Sequence, residues 1–225
     1  MRRRCQRISK HGVVLCLGLG LAVLGMCGCG KSAMDFSYEP LAAVDTLCME
    51  EDSCRLLCVS FLDERESEKA GGAKNLYGMT LSAFVFERED MVQAFTAAVT
   101  DTLRKAGYKV AMSSERITGQ DIPAGELQGF DYVVGGKIQK ISASTKPGWS
   151  NVNAEAAVEI SMYVRKIADG PEGEWFGPLS GESLKQSYAV MDVSQAAERS
   201  LNMAMQDCMV NLVRHLKASG TIVAK

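Results

Sequence analysis

Phe130–Ala168 reads FDYVVGGKIQKISASTKPGWSNVNAEAAVEISMYVRKIA, and its patterning decides the architecture. In its second half Val158, Ile160, Met162 and Val164 share one parity, while Glu155, Glu159 and Arg165 share the other. Alternation over this length makes a strand with one apolar face and one wet face. The first half, Phe130–Ser144, reads as a strand as well. Between them TKPGWSNVN holds proline and glycine, the residues of a tight connection. The stretch therefore predicts two long strands, 130–144 and 154–168, joined at a hairpin tip that carries Pro147 and Trp149.

Downstream, Asp169–Pro178 is a Gly/Pro turn holding Trp175 and Phe176, and Leu179–Val190 reads as a further strand. Asp192–Ala218 reads as a long helix. Asp192 with Gln195 resembles a capping box, and Val193, Ala197, Leu201, Met205, Cys208, Leu212 and Leu216 form one apolar stripe. Upstream, Arg55–Leu62 is a first strand, with Leu57, Val59 and Phe61 on one face and Cys58 on the other. Asp63–Leu81 is rich in glycine and charge and reads as a loop. Asp90–Ala106 is a helix with Met91, Phe95, Ala98, Val99, Leu103 and Ala106 in its stripe and Gly107 as its stop. Tyr108–Met112 is a strand, and Ser113–Gly129 a loop. The order β-α-β-β-β-β-α opens on a right-handed parallel crossover and continues as a meander. Both helices must then cover one face, which gives an α+β fold, a two-layer sandwich with a mixed sheet.

Of 225 residues, 47% are hydrophobic and 23% charged, as in an ordinary globular chain. The net charge of −2 hides an asymmetry. Residues 1–28 hold five basic residues and no acidic one, leaving 20 basic against 27 acidic, a net −7. An acidic body argues against a nucleic-acid partner, because phosphate binding needs a positive face.

The asymmetry marks an address. Met1–Lys10, MRRRCQRISK, is basic, and His11–Gly30 is uncharged with its densest apolar run at Val13–Leu24. That is the pattern of a secretory signal. Six glycines among those twenty residues make a poor membrane-spanning helix. The stretch ends LGMCGCGKS, which resembles the lipobox of bacterial lipoproteins. The resemblance implies cleavage before a cysteine that carries a palmitate-type acyl anchor. Cys29, preceded by Gly28, fits a narrow peptidase pocket better than Cys27, preceded by Met26; Cys27 stays as the alternative. Glycine follows both cysteines, and by the same resemblance the destination is the outer membrane, facing the periplasm. The expected organisation is a signal peptide at 1–28, a tether at 29–40 and one domain at 41–225.

Gly25–Ser32, GMCGCGKS, matches the spacing of a phosphate-binding loop. Such a loop must follow a buried strand and open a helix whose amide groups hold the phosphates. Here a leucine-rich run precedes it and SAMDFSYEP follows, so the match is refused.

Few residues suit catalysis. Beyond the leader there is one histidine, His215, and no nucleophile elbow or zinc-protease motif. Asp63, Glu64 and Glu66 are a candidate carboxylate cluster, although charged residues after a strand are usually just solvated. No metal and no cofactor is expected: Cys48, Cys54 and Cys58 have a spacing unlike zinc sites. In an oxidising envelope any disulfide should fall among those three, with Cys208 a buried free thiol. Met203, Met205 and Met209 read as core. Trp149, Pro147 and Trp175 lie in turns, where aromatic rings serve either packing or contact, and are the candidate contact residues.

Val59–Val110, with Asp63-x-Arg65 and Lys74-Asn75-x-Tyr77-Gly78 as its more specific pieces, resembles the YajG-type family of small envelope lipoproteins. Phe130–Ile141 and the last helix extend the resemblance. It implies a lipid-anchored, non-enzymatic outer-membrane protein, and the residues agree with a binding or assembly module whose partner is an envelope protein, a glycan or a lipid. The alternatives are an auxiliary lipoprotein of an ABC-type lipid transporter and an envelope enzyme using the acidic loop.

Overall fold

The computed structural model describes residues 30–222 apart from 35, 48–53, 117–121 and 190–191. Its elements run β1 (Gly30–Ala33), β2 (Arg55–Ser60), β3 (Leu62–Asp63), β4 (Lys69–Lys74), β5 (Thr80–Val85), α1 (Arg88–Lys105), β6 (Lys109–Arg116), β7 (Tyr132–Pro147), β8 (Asn151–Lys166), β9 (Glu174–Ala189) and α2 (Val193–Ser219). The chain is α+β, with a large mixed sheet and two helices. The signal peptide, Cys27, Cys29, Cys48 and most of the phosphate-loop match lie outside the described residues.

The hairpin β7–β8 is the spine. β8 pairs antiparallel along all of β7, and β9 pairs antiparallel with β8. The other edge of β7 takes three partners in succession, all parallel: β2 at 132–134, β3 at 137–138 and β4 at 143–145. From there the sheet forks. β2 leads to β6, and β4 leads to β5 and then β1.

Among the described residues five strands therefore precede the first helix where one was expected. The segment 63–81, read as a loop, contains β4 and the start of β5, and the expected order β-α-β-β-β-β-α is corrected accordingly. β4 is KAGGAK, a strand that packs by its backbone: a Cβ on Gly71 would stand 2.1 Å from the Ala143 carbonyl oxygen, and one on Gly72 2.1 Å from that of Ser82. Close approach of neighbouring backbones explains the glycines.

The main core joins both helices to one parity of the sheet, including Val158, Ile160, Met162 and Val164, as the alternation requires. The helical stripes are buried as expected, except that Val193 is half-buried; Met203 is exposed, unlike Met205 and Met209. On β2 the expected facing is corrected. Leu56, Cys58 and Phe61 enter the main core, whereas Leu57 and Val59 join Val133 in a small cluster on the other side, under Ile122, Leu127 and Phe130. Cys58 lies opposite Val134 but Leu62 opposite Lys137, so four residues here face three on β7. One inserted residue reverses the parity of all that follows.

The expected tether is also structured. Gly30–Ala33 pairs with β5. Beyond it, Glu39 N–H donates to Asn202 Oδ1 (2.8 Å), Asn202 Nδ2 to the Ser37 carbonyl (2.9 Å), and Leu47 N–H to the Ala106 carbonyl (2.8 Å). Lys105 Nζ donates to the Leu41 carbonyl. Residues 36–47 are thereby tied to both helices.

Candidate interaction surfaces

β7 and β8 meet in a tight turn closed by Gly148 N–H donating to the Asn151 carbonyl at 2.7 Å. Pro147 ends β7 opposite Val152, and Trp149 stands at the tip, fully exposed (104%). The β4–β5 turn emerges beside it, because β4 runs parallel to β7 with Ala73 opposite Thr145. In that turn Asn75 Oδ1 accepts from the N–H groups of Tyr77 (2.9 Å) and Met79 (3.0 Å), and Gly78 takes φ +85°. An asparagine side chain standing in for backbone, plus a glycine in the left-handed region, is how such a turn holds its shape. It presents Tyr77 (89% exposed), Leu76, Met79 and, at the start of β5, Leu81 to solvent. None of the four is among the contact residues that the sequence suggests, although Tyr77 belongs to the Lys74-Asn75-x-Tyr77-Gly78 piece. Their one sequence cue is a run of large apolar residues, LYGM, in a segment otherwise made of glycine and charge.

Trp175 is elsewhere. It lies opposite Tyr163 near the far end of β8, about twelve residues or roughly 40 Å along the strand from Asn151. Its ring lies 5.2 Å from that of Tyr163, and Lys137 Nζ sits 4.6 Å over it. Lys137 also pairs with Glu64 at 2.8 Å. The structure thus separates Trp149 from Trp175 and gives the second a packing environment at 45% exposure.

The acidic loop does not gather its carboxylates. Asp63 accepts from Arg65 Nε (2.9 Å) and Nη2 (2.8 Å) and from the Arg65 backbone N–H (3.0 Å). Both side chains are about 95% buried. Arg65 Nη2 also donates to the Phe86 carbonyl, and Arg88 donates to the carbonyls of Asp63 and Arg65. Burial opposes the charge on Asp63, but the hydrogen bonds from Arg65 and the positive charges of Arg65 and Arg88 outweigh it and hold its carboxyl below the usual range. Glu64 turns to Lys137, and Glu66 is exposed.

On the parity of β7 and β8 opposite the main core, Ser142 and Ser144 of β7, Glu155 and Ala157 of β8 and Glu182 of β9 line a shallow concavity of about 490 Å³ that reaches Lys74. Ser144 Oγ donates to Glu155 at 2.8 Å. The arrangement offers hydroxyl and carboxylate groups to a polar ligand.

His215 stacks on Phe176, ring centroids 4.7 Å apart, as a packing residue. Cys58 and Cys208 are buried free thiols, pushed up by burial to about 11 and about 12. Among the described residues no cluster of side chains could hold a metal ion, and no helix is long and apolar enough to cross a membrane.

No family model and no curated protein matches the chain. Among solved structures it is similar to a Xanthomonas campestris protein of family DUF330, at 15% identity and TM-score 0.42, covering 84% of this chain and 94% of that one. It is similar to a PelC dodecamer from Paraburkholderia phytofirmans, at 12% identity and TM-score 0.34, over 74% and 94%. A neuraminyllactose-binding hemagglutinin homologue from Helicobacter pylori aligns at 10% identity and TM-score 0.41, over 80% and 92%.

Proposed function

We propose that the protein is a lipid-anchored envelope lipoprotein of the YajG type, held at the outer membrane through Cys29 and acting as a non-catalytic binding or assembly module. The fold it brings is a two-layer sandwich, with both helices on one sheet face and the other face open to a protein, glycan or lipid partner. One observation carries the reading: a basic segment and an uncharged apolar run end in Gly28-Cys29, a small residue directly before a cysteine. A basic stub, a short apolar run and a small residue before a cysteine are what a processed lipoprotein needs. The polar concavity and the fully exposed Trp149 supply surface for a partner. The buried Asp63–Arg65 pair supports a structural use of the acidic loop over a catalytic one.

The test is acyl labelling in cells. The native chain is expected to take up labelled palmitate, and Cys29→Ser to accumulate as an unlabelled, longer precursor. Normal labelling of Cys29→Ser together with loss in Cys27→Ser moves the anchor to Cys27. Labelling of neither chain defeats the lipoprotein reading.

A further inference from the structure

We propose that the end of the sheet formed by the β4–β5 and β7–β8 turns rests on the bilayer, with Trp149, Tyr77, Leu76 and Met79 seated in its interfacial layer. The proposal rests on the lipid-anchored reading for the identity of the surface, and on the sheet for the orientation.

The register places Gly30, Ser82, Ala73, Thr145 and Ala154 in a single row across β1, β5, β4, β7 and β8. Both turns extend beyond that row on the same side. β1 runs parallel to β5, which itself runs away from the β4–β5 turn, so Gly30 is the residue of β1 nearest the turns. Cys29, the residue that directly precedes it, joins the domain there. β1 stands three strands from β7, about 15 Å at the usual spacing of about 4.8 Å. An acyl chain on Cys29 therefore tethers the domain by the very end that exposes the apolar side chains.

Their chemistry fits a headgroup layer. Tryptophan and tyrosine combine an apolar body with a polar handle and settle at membrane interfaces. Leu76 and Met79, both more than 60% exposed, add apolar area for the acyl boundary. Segments 74–81 and 146–152 contain Lys74 and Lys146 and no carboxylate, within a chain that carries −7 from residue 29 onward. Local positive charge on an acidic body draws this end toward anionic headgroups. A cluster of large exposed apolar residues marks a contact surface rather than ordinary protein exterior.

The two tryptophans provide the measurement, because they lie at opposite ends of β8. Full-length chains carrying Trp175→Phe or Trp149→Phe each report one ring. Both are reconstituted in phosphatidylethanolamine/phosphatidylglycerol vesicles with brominated acyl chains. The expected result is at least two-fold quenching of Trp149 with a blue shift, and no quenching of Trp175; the unsubstituted chain should show the corresponding partial loss. Leu76→Asp with Tyr77→Asp should remove most of the Trp149 quenching. Unquenched Trp149 overturns the proposal, whether the ring stays open to acrylamide or becomes shielded as protein concentration rises, the sign of a second copy. Equal quenching of both rings overturns the orientation. Acyl mass at Cys29 is read separately: an acylated chain with unquenched Trp149 removes the docking and keeps the anchor, and an unacylated chain with quenched Trp149 does the reverse.

Discussion

Asp63 and Arg65 sit two positions apart and satisfy each other inside the fold, and that proximity explains why the Asp-x-Arg spacing carries structure. Both heads are about 95% buried, so removing one leaves the other as an uncompensated charge. Asp63→Asn should cost about 3–5 kcal/mol in urea unfolding, the scale of a broken buried pair. The pH dependence follows from the direction of the shift. The folded carboxyl titrates below its unfolded value, so the stabilisation is complete above the unfolded value and is lost as pH falls through the folded one. Urea midpoints between pH 2 and 6 should fall steeply in the native chain and less steeply in Asp63→Asn. Equal slopes would assign the acid limb to other carboxylates. The thiols make a second residue-scale prediction. Burial raises Cys58 to about 11 from an ordinary 9, which alone slows thiolate chemistry about 100-fold at pH 8. Cys58 and Cys208 should ignore a disulfide-exchange reagent in the native protein and react promptly in urea. Fast labelling of either without denaturant contradicts the packing.

At the level of elements, α2 docks on β9 at a glycine. A Cβ on Gly181 would stand 2.1 Å from the Ala204 carbonyl oxygen and 2.3 Å from the Cys208 amide nitrogen, both helix backbone. Backbone cannot turn aside as a side chain does. Gly181→Ala, which in an open strand would gain from β propensity, should therefore destabilise by about 1–3 kcal/mol as helix and sheet are pushed apart. Gly125→Ala is the control, since nothing lies within 4 Å of its Cβ, and should leave the urea midpoint nearly unchanged. The same distinction explains what the sequence revealed. α1, α2, β7 and β8 are legible because their packing is done by side chains at a fixed period. β4 is not, because Gly71 and Gly72 pack by having no side chain, and such a segment has the composition of a loop. The alternation groups Phe61 with Leu57 and Val59, whereas it shares the main core with Cys58, because a one-residue insertion before Leu62 has no signature in composition. For the site, Pro147-Gly148 announces the tip and so Trp149. Tyr77 joins it only through the parallel pairing of β4 with β7, a contact between residues some seventy positions apart that no local pattern encodes.

Across the whole molecule, β8 separates two ends that treat tryptophan differently. At one end Trp149 touches solvent on all sides, on a turn whose shape comes from Gly148 and Asn151. At the other, Trp175 leans on Tyr163 and lies under Lys137, which is itself held by Glu64. An aromatic pair contributes about 0.5–1.5 kcal/mol and an exposed cation–π contact about 0.5–1. Trp175→Ala should then cost roughly 1–2 kcal/mol. For a domain of this size each kcal/mol moves the melting temperature by about 2–4 °C, so Tm should fall by roughly 2–8 °C. Trp149→Ala should stay within about 0.5 kcal/mol, as surface substitutions do. Thermal unfolding of the two variants beside the native chain reads the contrast directly. If Trp149→Ala melts as low as Trp175→Ala, its ring packs against the domain and the turn end is not free for a partner. If neither variant moves, the Tyr163–Trp175–Lys137 stack is slack in solution and Trp175 returns as a contact candidate.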